Sequence, residues 1–481
     1  MTANGARLIW VTAIVLIACT ALAALWAPVT KMFADVEINY NEGWNAYRVA
    51  MLENGERLYA APPAYTGTNY PPLSFHAIAL LAKVTGDANV AGRWTALLSL
   101  FGICAFAALI VRRFSGAWLP GAYAGLTFLV WIALFTPDRV GMNDPQLLAM
   151  LLMMAGLFAY IANRASPPWL CASAALFALA LFTKHNLIAV PCAVGLHLLL
   201  SRWRRGFLIW AAVFCGTVGA LFVSTRMVDG PFFLAHLTAL RAYSFIDGWA
   251  RFSYYLWIFQ IGVAAAAVWA LWNARRPERQ VLILAFILAT LTGLAFAGGN
   301  GVDYNIFFDS MLMVVLIVSI CVADLISVLE KAPFGAAFLT AALLLPFLGA
   351  ITVLPLRLQL ESHELAALAD AEDDAARAIE TIRGRPGAAL CEDLLYCLEA
   401  GKPYAFDPYC VYNQVKTGRI PEEQVLAMLR SHQFATIEIS LSAEPLQPVE
   451  RARFSAAFMH ALLENYHPVL TTRSVTVLAP L

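Results

Sequence analysis

The sequence predicts an all-α polytopic membrane protein with a small α/β domain at its C-terminal end. Of its 481 residues, 60% are hydrophobic and only 13% are charged. The mean hydropathy is +0.68, far above that of soluble globular domains. Beyond residue 355 the long apolar runs give way to short mixed segments. The 32 basic and 32 acidic residues balance, so no net charge favours a nucleic-acid partner, and none is expected.

The apolar runs predict about eleven membrane spans, because roughly 20 apolar residues cross a ~30 Å hydrocarbon core. The first run is too long for the ~7–15-residue core of a signal peptide and lacks a small-residue cleavage site, so we expect a retained helix. The predicted spans are residues 7–28, 90–111, 117–136, 144–162, 168–183, 186–201, 207–225, 252–273, 280–298, 305–327 and 334–355.

The short basic loops predict the orientation of the chain. They contain Arg112, Arg113, Arg164, Arg202, Arg204, Arg205, Arg275, Arg276, Arg279 and Lys331, and with eleven spans they all fall on one side. By the positive-inside rule that side is the cytoplasm. The sequence therefore predicts a multi-pass protein of the inner (cytoplasmic) membrane, with a cytoplasmic N-terminus and an extracytoplasmic C-terminal domain.

One apolar segment, residues 73–85, is too short to cross. Thirteen residues at 1.5 Å each reach roughly 20 Å as a helix. A crossing here would also move every later basic loop to the opposite side. We therefore predict an interfacial or re-entrant helix, and divide the chain into a transmembrane domain, 1–355, and an extracytoplasmic domain, 356–481.

The C-terminal domain is predicted to be α/β. Its segments GAALCED, ATIEISL and SVTVLAP are typical of strands, and EEQVLAMLRSH and RFSAAFMHALLENY are typical of helices. An oxidising compartment would permit one disulfide among Cys391, Cys397 and Cys410. Three free thiols are the alternative.

The first outward loop, residues 29–89, is polar and carries carboxylates, which marks it as the candidate site. Asp35 and Glu37 lead into Asn41-Glu42-Gly43-Trp44. From there Trp44, Tyr47 and Met51 form one apolar stripe of a helix. We expect this helix to lie on the membrane surface, with Trp and Tyr at headgroup depth. Glu42 then stands at a helix N-terminus, either as a general base or merely as a charge favoured by the helix dipole.

Four segments in this order resemble the GT-C glycosyltransferases that use polyprenyl-phosphate sugars, a group that includes protein mannosyltransferases and lipid A aminoarabinose transferases. The segments are NEGWNAYRVAMLENGE at 41–56, NYPPLSF at 69–75, NDPQLLAM at 143–150 and LFTKHNLIAVP at 181–191. The resemblance implies a GT-C-like transmembrane fold and a site on the outer side. It covers about the first 200 residues in motif detail and the remainder only in topology.

The resemblance also implies roles for individual residues. The family's acidic pair corresponds to Asn41-Glu42 and is altered here, so the base is either Glu42 or Asp35. Its second acidic position is similar to Asp144, and its phosphate-binding lysine is similar to Lys184. The further candidates for substrate binding are His185, Glu37, Asn69, Tyr70, Arg139 and Arg241. A helix-terminal acid and a snorkelling lysine are the simpler alternatives for Asp144 and Lys184.

The predicted reaction is transfer of a hexose or pentose from a polyprenyl-phosphate donor to a lipid, glycan or protein hydroxyl, with inversion as the family expectation. No His or Cys grouping has metal-ligand spacing. We therefore expect no cofactor, and metal dependence stays open. A transporter or flippase of lipid-linked saccharides is the alternative from another class, since Asp309 and Asp324 lie in or near a predicted span. A scaffold that only binds a lipid carrier is a third.

Overall fold

The computed structural model describes residues 3–62, 65–239, 241–329, 334–440, 446–447, 449, 451 and 453–481. Lys331, one of the residues used to predict orientation, lies outside them. In chain order the first part contains α1 (Ala3–Lys31), α2 (Asn41–Glu53), α3 (Leu73–Thr85), α4 (Ala88–Ser115), α5 (Trp118–Phe135), α6 (Pro145–Asn163), α7 (Pro167–Thr183), α8 (Ala189–Leu200), α9 (Arg204–Val228), α10 (Phe233–Leu237), α11 (Phe245–Asn273), α12 (Gln280–Phe296), α13 (Phe308–Leu329) and α14 (Gly335–Ala366). Short 3₁₀ turns span Pro137–Arg139 and Tyr304–Phe307.

Each predicted span coincides with an apolar helix. Within the described residues, eight helices are long and apolar enough to cross a membrane, namely α1, α4, α5, α6, α9, α11, α13 and α14. The predicted spans at 168–183, 186–201 and 280–298 lie on the shorter helices α7, α8 and α12. The multi-pass class is confirmed, whereas the exact number of crossings stays a prediction.

The long helices pack around one apolar core. Buried side chains of α1, α4, α5, α6 and α13 form its centre, as in Trp10, Leu100, Phe128, Met153 and Leu316. Helix α14 continues to Ala366, beyond the predicted domain boundary at 355. The division of the chain at this point therefore stays a prediction.

Helix α3 covers the residues predicted to form a short helix, Leu73–Thr85. Pro72 precedes it beside the candidate site, and Gly86 and Asp87 turn the chain into α4, where the Asp87 carboxylate accepts a hydrogen bond from the Val90 amide. The first turn of α4 returns to the same region, since the Asn143 side-chain Nδ2 donates to Asn89 Oδ1 at 3.3 Å. Both ends of α3 therefore lie on one side of the helix bundle.

The C-terminal part is an α/β domain, as predicted. It contains α15 (Leu368–Arg383), β1 (Ala389–Cys391), α16 (Leu394–Glu399), α17 (Pro408–Lys416), α18 (Glu422–Arg430), β2 (Thr436–Ser440), α19 (Ala456–Asn465), β3 (Tyr466–Thr471) and β4 (Val475–Pro480). The strand order is β1-β2-β4-β3. Strands β1 and β2 are parallel, and the other neighbours are antiparallel. Strand β3, which begins directly after α19, has no counterpart among the predicted strands.

The two faces of this sheet have different partners. One face, with Val475 and Val477, joins α15 and α16 to Trp44, Tyr47 and Phe75 of the first loop in one apolar cluster. The other face packs against α17, α18 and α19. Trp44 and Tyr47 are buried inside the protein and do not face lipid, whereas their depth in the membrane stays a prediction.

Cys391 and Cys397 form a disulfide with a Cα–Cα separation of 5.8 Å. Cys410 is a free thiol. Of the two arrangements left open by the sequence, the structure has one disulfide and one free cysteine. The bridge closes a short loop that carries Glu392 and Asp393 between β1 and α16.

Candidate active site

A cavity of about 410 Å³ lies between the first loop, the ends of the long helices and the C-terminal domain. This volume falls within the roughly 300–1,000 Å³ that is usual for small-ligand sites. Aromatic rings, side-chain amides and four arginines line it, including Tyr40, Trp44, Tyr70, Tyr409, Asn39, Asn41, Asn69, Asn300, Asn413, Arg139, Arg241, Arg419 and Arg453. Asn69, Tyr70, Arg139 and Arg241 were among the residues predicted from the sequence.

The walls come from loops that the positive-inside rule puts on one face. The α1–α2 loop gives Tyr40, the α5–α6 loop gives Arg139 and the α12–α13 loop gives Asn300 and Asp303. The last of these loops is fixed to the C-terminal domain, because the Tyr409 hydroxyl donates to the Asn300 carbonyl at 2.8 Å. Gly301 has a φ of 69° directly over that tyrosine, so a side chain there would be both strained and obstructed.

Glu42 lies outside the cavity lining, in a buried ion pair with Arg93 of α4. Its side chain is 0% exposed, and Oε2 lies 2.7 Å from Arg93 Nη2. Oε1 also accepts from Arg93 Nε and from the Asn143 amide, and Oε2 accepts from the Ile38 amide. Arg93 in turn donates to the carbonyls of Met32, Ala34 and Val36. Catalysis by Glu42 stays a prediction, and these contacts favour a structural role that holds the α1–α2 loop.

The fold brings together Asp144, Lys184 and Arg139, three of the residues predicted to belong to the site. Lys184 Nζ lies 3.2 Å from Asp144 Oδ1, and Arg139 Nη1 lies 3.5 Å from Asp144 Oδ2. Burial alone would raise the pKa of Asp144, but the charges of Lys184 and Arg139 lower it below the usual value. Lys184 sits behind the cavity wall, with Nζ 4.8 Å from the centre of the Tyr70 ring.

His185 lies beside this charge cluster. Burial, followed by the nearby positive charges of Arg241 and Lys184, lowers the pKa of His185 to about 4. Its imidazole is therefore neutral at physiological pH. Its Nδ1 is buried without a hydrogen-bond partner in the described structure.

Asp35 and Glu37 lie away from the cavity lining. The Asp35 side chain is exposed, and its backbone amide donates to Glu372 of α15. Glu37 Oε1 accepts from the Gly43 amide at 2.8 Å. Burial, followed by the negative charge of Asp393, raises the pKa of Glu37 well above its usual value. Both roles remain predictions: Asp35 contacts the C-terminal domain, and Glu37 contacts α2.

Several cavity residues were not predicted from the sequence. Asp303 precedes a 3₁₀ turn in the α12–α13 loop. The glycine-rich sequence of this loop is the one local pattern that indicates a site residue there. Asp407 caps α17, and Arg453 lies with its guanidinium 3.8 Å from the centre of the Tyr40 ring. These two and Arg419 come from the C-terminal domain, and no local pattern there indicates a site.

Comparisons with known proteins agree with this architecture. The family model described as dolichyl-phosphate-mannose-protein mannosyltransferase matches residues 69–228, a range that contains three of the four motifs. No curated protein matches the chain significantly in sequence.

Solved structures match over nearly the whole chain. ArnT from Cupriavidus metallidurans bound to undecaprenyl phosphate is 14% identical with a TM-score of 0.59, over 97% of each chain. The Archaeoglobus fulgidus oligosaccharyltransferase tethered to an acceptor peptide is 13% identical with a TM-score of 0.55, over 95% of this chain and 72% of that one. The archaeal oligosaccharyltransferase AglB from Archaeoglobus fulgidus, in complex with an inhibitory peptide and a dolichol-phosphate, is 12% identical with a TM-score of 0.56, over 89% of this chain and 69% of that one.

The fold is thus that of the GT-C superfamily, as the motifs predicted. Within this fold, residues 69–228 carry the sequence similarity to the mannosyltransferase family model. Asp324 was one of two acids that favoured a transporter. It is ion-paired with Arg279 at the far end of α13, so it no longer favours that alternative.

Proposed function

We propose that this protein transfers a hexose or pentose from a polyprenyl-phosphate donor to an acceptor hydroxyl in the cavity, at the outer face of the inner membrane. The acceptor is a lipid, glycan or protein. The family model is named for a dolichyl-phosphate sugar, and the similar structures hold undecaprenyl phosphate or dolichol-phosphate. The observation that carries the proposal is the arginine-rich cavity where the helix bundle meets the C-terminal domain.

The arginines suit a donor whose leaving group is a phosphate anion. Arg139 and Arg453 are already paired with carboxylates. Arg241 and Arg419 also line the cavity, and neither has a carboxylate partner among the described ion pairs. Arg241 extends from the loop before α11, at the end of the helix bundle, and is our candidate for the phosphate. Stabilising the departing phosphate electrostatically removes the need for a general acid.

The remaining lining suits a sugar. Small-ligand sites combine apolar and aromatic walls with a few placed polar groups. Here Tyr40, Trp44, Tyr70 and Tyr409 supply the rings, and asparagine side chains supply both donors and acceptors for hydroxyl groups. Inversion at the anomeric carbon is the expected outcome, because displacement by the acceptor needs one proton acceptor and no covalent intermediate.

Lys184 supports this site from behind Tyr70. Its charge fixes Asp144, which in turn lies beside Arg139. We expect Lys184→Ala to weaken donor use about 10-fold and acceptor use less, with Lys184→Arg retaining part of the activity. Lys83→Ala on the exposed side of α3 is the control. If wild type and Lys184→Ala respond equally to increasing donor concentration, Lys184 has no role in donor use.

Undecaprenyl phosphate, the proposed product of donor cleavage, provides a direct binding probe. We expect it to raise the unfolding temperature of the purified protein. Arg241→Gln should need at least ~10-fold more lipid, since a hydrogen bond to a charged group contributes about 1.5–3 kcal/mol. Arg113→Gln, at an exposed position in the last turn of α4, is the control. No stabilisation of the wild type would contradict the proposal.

A second measurement addresses the cell. Mass spectrometry of cells that lack the protein should show accumulation of one lipid-linked sugar and loss of one glycan. Transfer by the purified enzyme, measured before and after EDTA treatment, tests whether a metal is required. An unchanged pool of lipid-linked sugars would contradict the donor class.

A further inference from the structure

The proposed reaction needs a proton acceptor that faces the cavity, and the acids predicted from sequence do not provide one. Both oxygens of Glu42 are occupied by Arg93 and backbone amides. Asp144 is held by Lys184 and Arg139 behind the wall. At the start of α2 the cavity is lined by Asn41, whose amide can orient a hydroxyl but cannot take its proton.

Two carboxylates line the cavity among the described residues, Asp303 and Asp407. Asp407 is 0% exposed. Its Oδ2 accepts from Trp44 Nε1 at 2.8 Å and from the Tyr404 hydroxyl at 2.9 Å, and its Oδ1 accepts from the Cys410 amide. With no surface open to a ligand and three donors on its oxygens, Asp407 serves to fix Trp44 and Tyr404 rather than to meet a substrate.

Asp303 has the opposite character. Its side chain is 45% exposed. Oδ1 accepts one hydrogen bond from the Tyr304 amide at 2.7 Å, and Oδ2 accepts one from Arg139 Nη2. Each oxygen keeps a free lone pair, because a carboxylate oxygen can accept two hydrogen bonds. The carboxylate is therefore fixed in position and still open to the cavity.

The guanidinium that holds Asp303 is itself fixed. Arg139 is 4% exposed and also faces Asp138 and Asp144, with nitrogen–oxygen distances of 3.8 and 3.5 Å. Asp144 continues the chain of charges to Lys184. Buried charged networks of this kind hold their members in one geometry, so the orientation of Asp303 depends on residues that the motifs had already marked.

We propose that Asp303 is the general base of the transfer, an inference that rests on the proposed function. In the reaction, the acceptor oxygen forms a bond to the anomeric carbon while the bond from that carbon to the phosphate oxygen breaks. The bonding electrons leave with the polyprenyl phosphate, and the acceptor proton passes to Asp303. The role of the altered acidic pair is thereby divided between Asn41, which orients the hydroxyl, and Asp303, which takes its proton.

The test compares Asp303→Asn with wild type, using undecaprenyl-phosphate-linked hexose and pentose as donors and an acceptor extract from cells that lack the protein. We expect the variant to bind undecaprenyl phosphate and unfold like wild type but to transfer about 10²–10⁴-fold more slowly. Asp247→Asn, at an exposed position in the first turn of α11, is the control with unchanged activity.

The outcomes separate the inference from the function on which it rests. Transfer by wild type together with near-normal transfer by Asp303→Asn would overturn Asp303 as the base and leave the proposed function standing. A slow Asp303→Asn that has also lost lipid binding, while Asp303→Glu restores binding without rate, would assign a binding role and overturn the inference. No transfer by wild type with either donor would overturn both.

Discussion

At the scale of single residues, the most consequential contact is the Glu42–Arg93 ion pair. Both side chains are buried, at 0% and 3% exposure. The arginine also donates hydrogen bonds to three backbone carbonyls of the α1–α2 loop. This pair places Tyr40 and Asn41 at the cavity, so a residue outside the site determines its geometry.

Glu42→Gln should therefore act mainly on folding. Removing one partner of a buried ion pair typically costs about 3–5 kcal/mol, because the other charge is left buried and uncompensated. We expect a markedly lower unfolding temperature, with the loss of transfer following the loss of folded protein. Glu53→Gln, exposed on the same helix, should be neutral. A Glu42→Gln protein with normal stability and no transfer would restore Glu42 as the base and contradict the role of Asp303.

At the scale of elements, the disulfide-closed loop docks onto the first turn of α2. The contact leaves no room for a side chain, since a Cβ on Gly43 would lie 2.2 Å from the Leu395 nitrogen and 2.8 Å from the Leu394 carbonyl carbon. Asp393 and Glu392 of the same loop hold Arg453 beside Tyr40. Helix α2, the loop and one wall of the cavity thus form a single unit.

Gly43→Ala should disturb that unit. Backbone atoms cannot rotate away as a side chain can, and overpacking costs roughly 1–3 kcal/mol. We expect a lower unfolding temperature and slower transfer. Gly216→Ala in α9, where nothing lies within 4 Å of the added carbon, is the matched control and should be neutral or slightly stabilising. Equal behaviour of the two variants would refute the close contact.

At the scale of the whole molecule, buried acids lie where the first loop meets the C-terminal domain. Burial, followed by the negative charge of Asp393, raises the pKa of Glu438 well above its usual value. The same two causes raise the pKa of Glu37. A raised acid pKa means that the folded state keeps a proton that the unfolded chain releases above about pH 4.3. Stability contributed by these groups therefore falls as the pH rises from there through the folded pKa.

Glu438→Gln should remove part of this pH dependence. The unfolding temperature of the variant minus that of wild type should increase from pH 4.5 to pH 8, because only wild type must either keep a proton or bury a charge. Unfolding measured in detergent at several pH values checks this. A difference that stays constant over the range would show that Glu438 does not titrate with folding.

Sidedness is the second property of the whole molecule. The basic loops predict a cytoplasmic N-terminus and an extracytoplasmic C-terminal domain. In a background without other free cysteines, Gln433→Cys should react with an impermeant reagent in cells with an intact inner membrane, whereas Arg113→Cys should not. Both positions are exposed. Labelling of Gln433→Cys only after the inner membrane is permeabilised would reverse the orientation.

The sequence by itself determined the membrane class, the position of each apolar helix, the α/β character of the C-terminal domain and the likeness to the GT-C fold. These properties follow from local hydrophobic pattern and from motifs read along the chain. It also pointed to Asn69, Tyr70, Arg139 and Arg241, which line the cavity, because they lie in loops that share one side; their role in substrate binding stays a prediction.

Only the tertiary structure decided which acids face the cavity. Glu42 and Asp303 are both loop or helix-end acids in the sequence. In the structure, however, the Glu42 side chain is fully buried against Arg93, whereas the Asp303 side chain is 45% exposed beside Arg139. The contributions of Asp407 and Arg453 depend on how a separate α/β domain packs against the first loop. Burial and ion pairing arise from contacts between residues far apart in the chain, and a local pattern carries no information about those contacts.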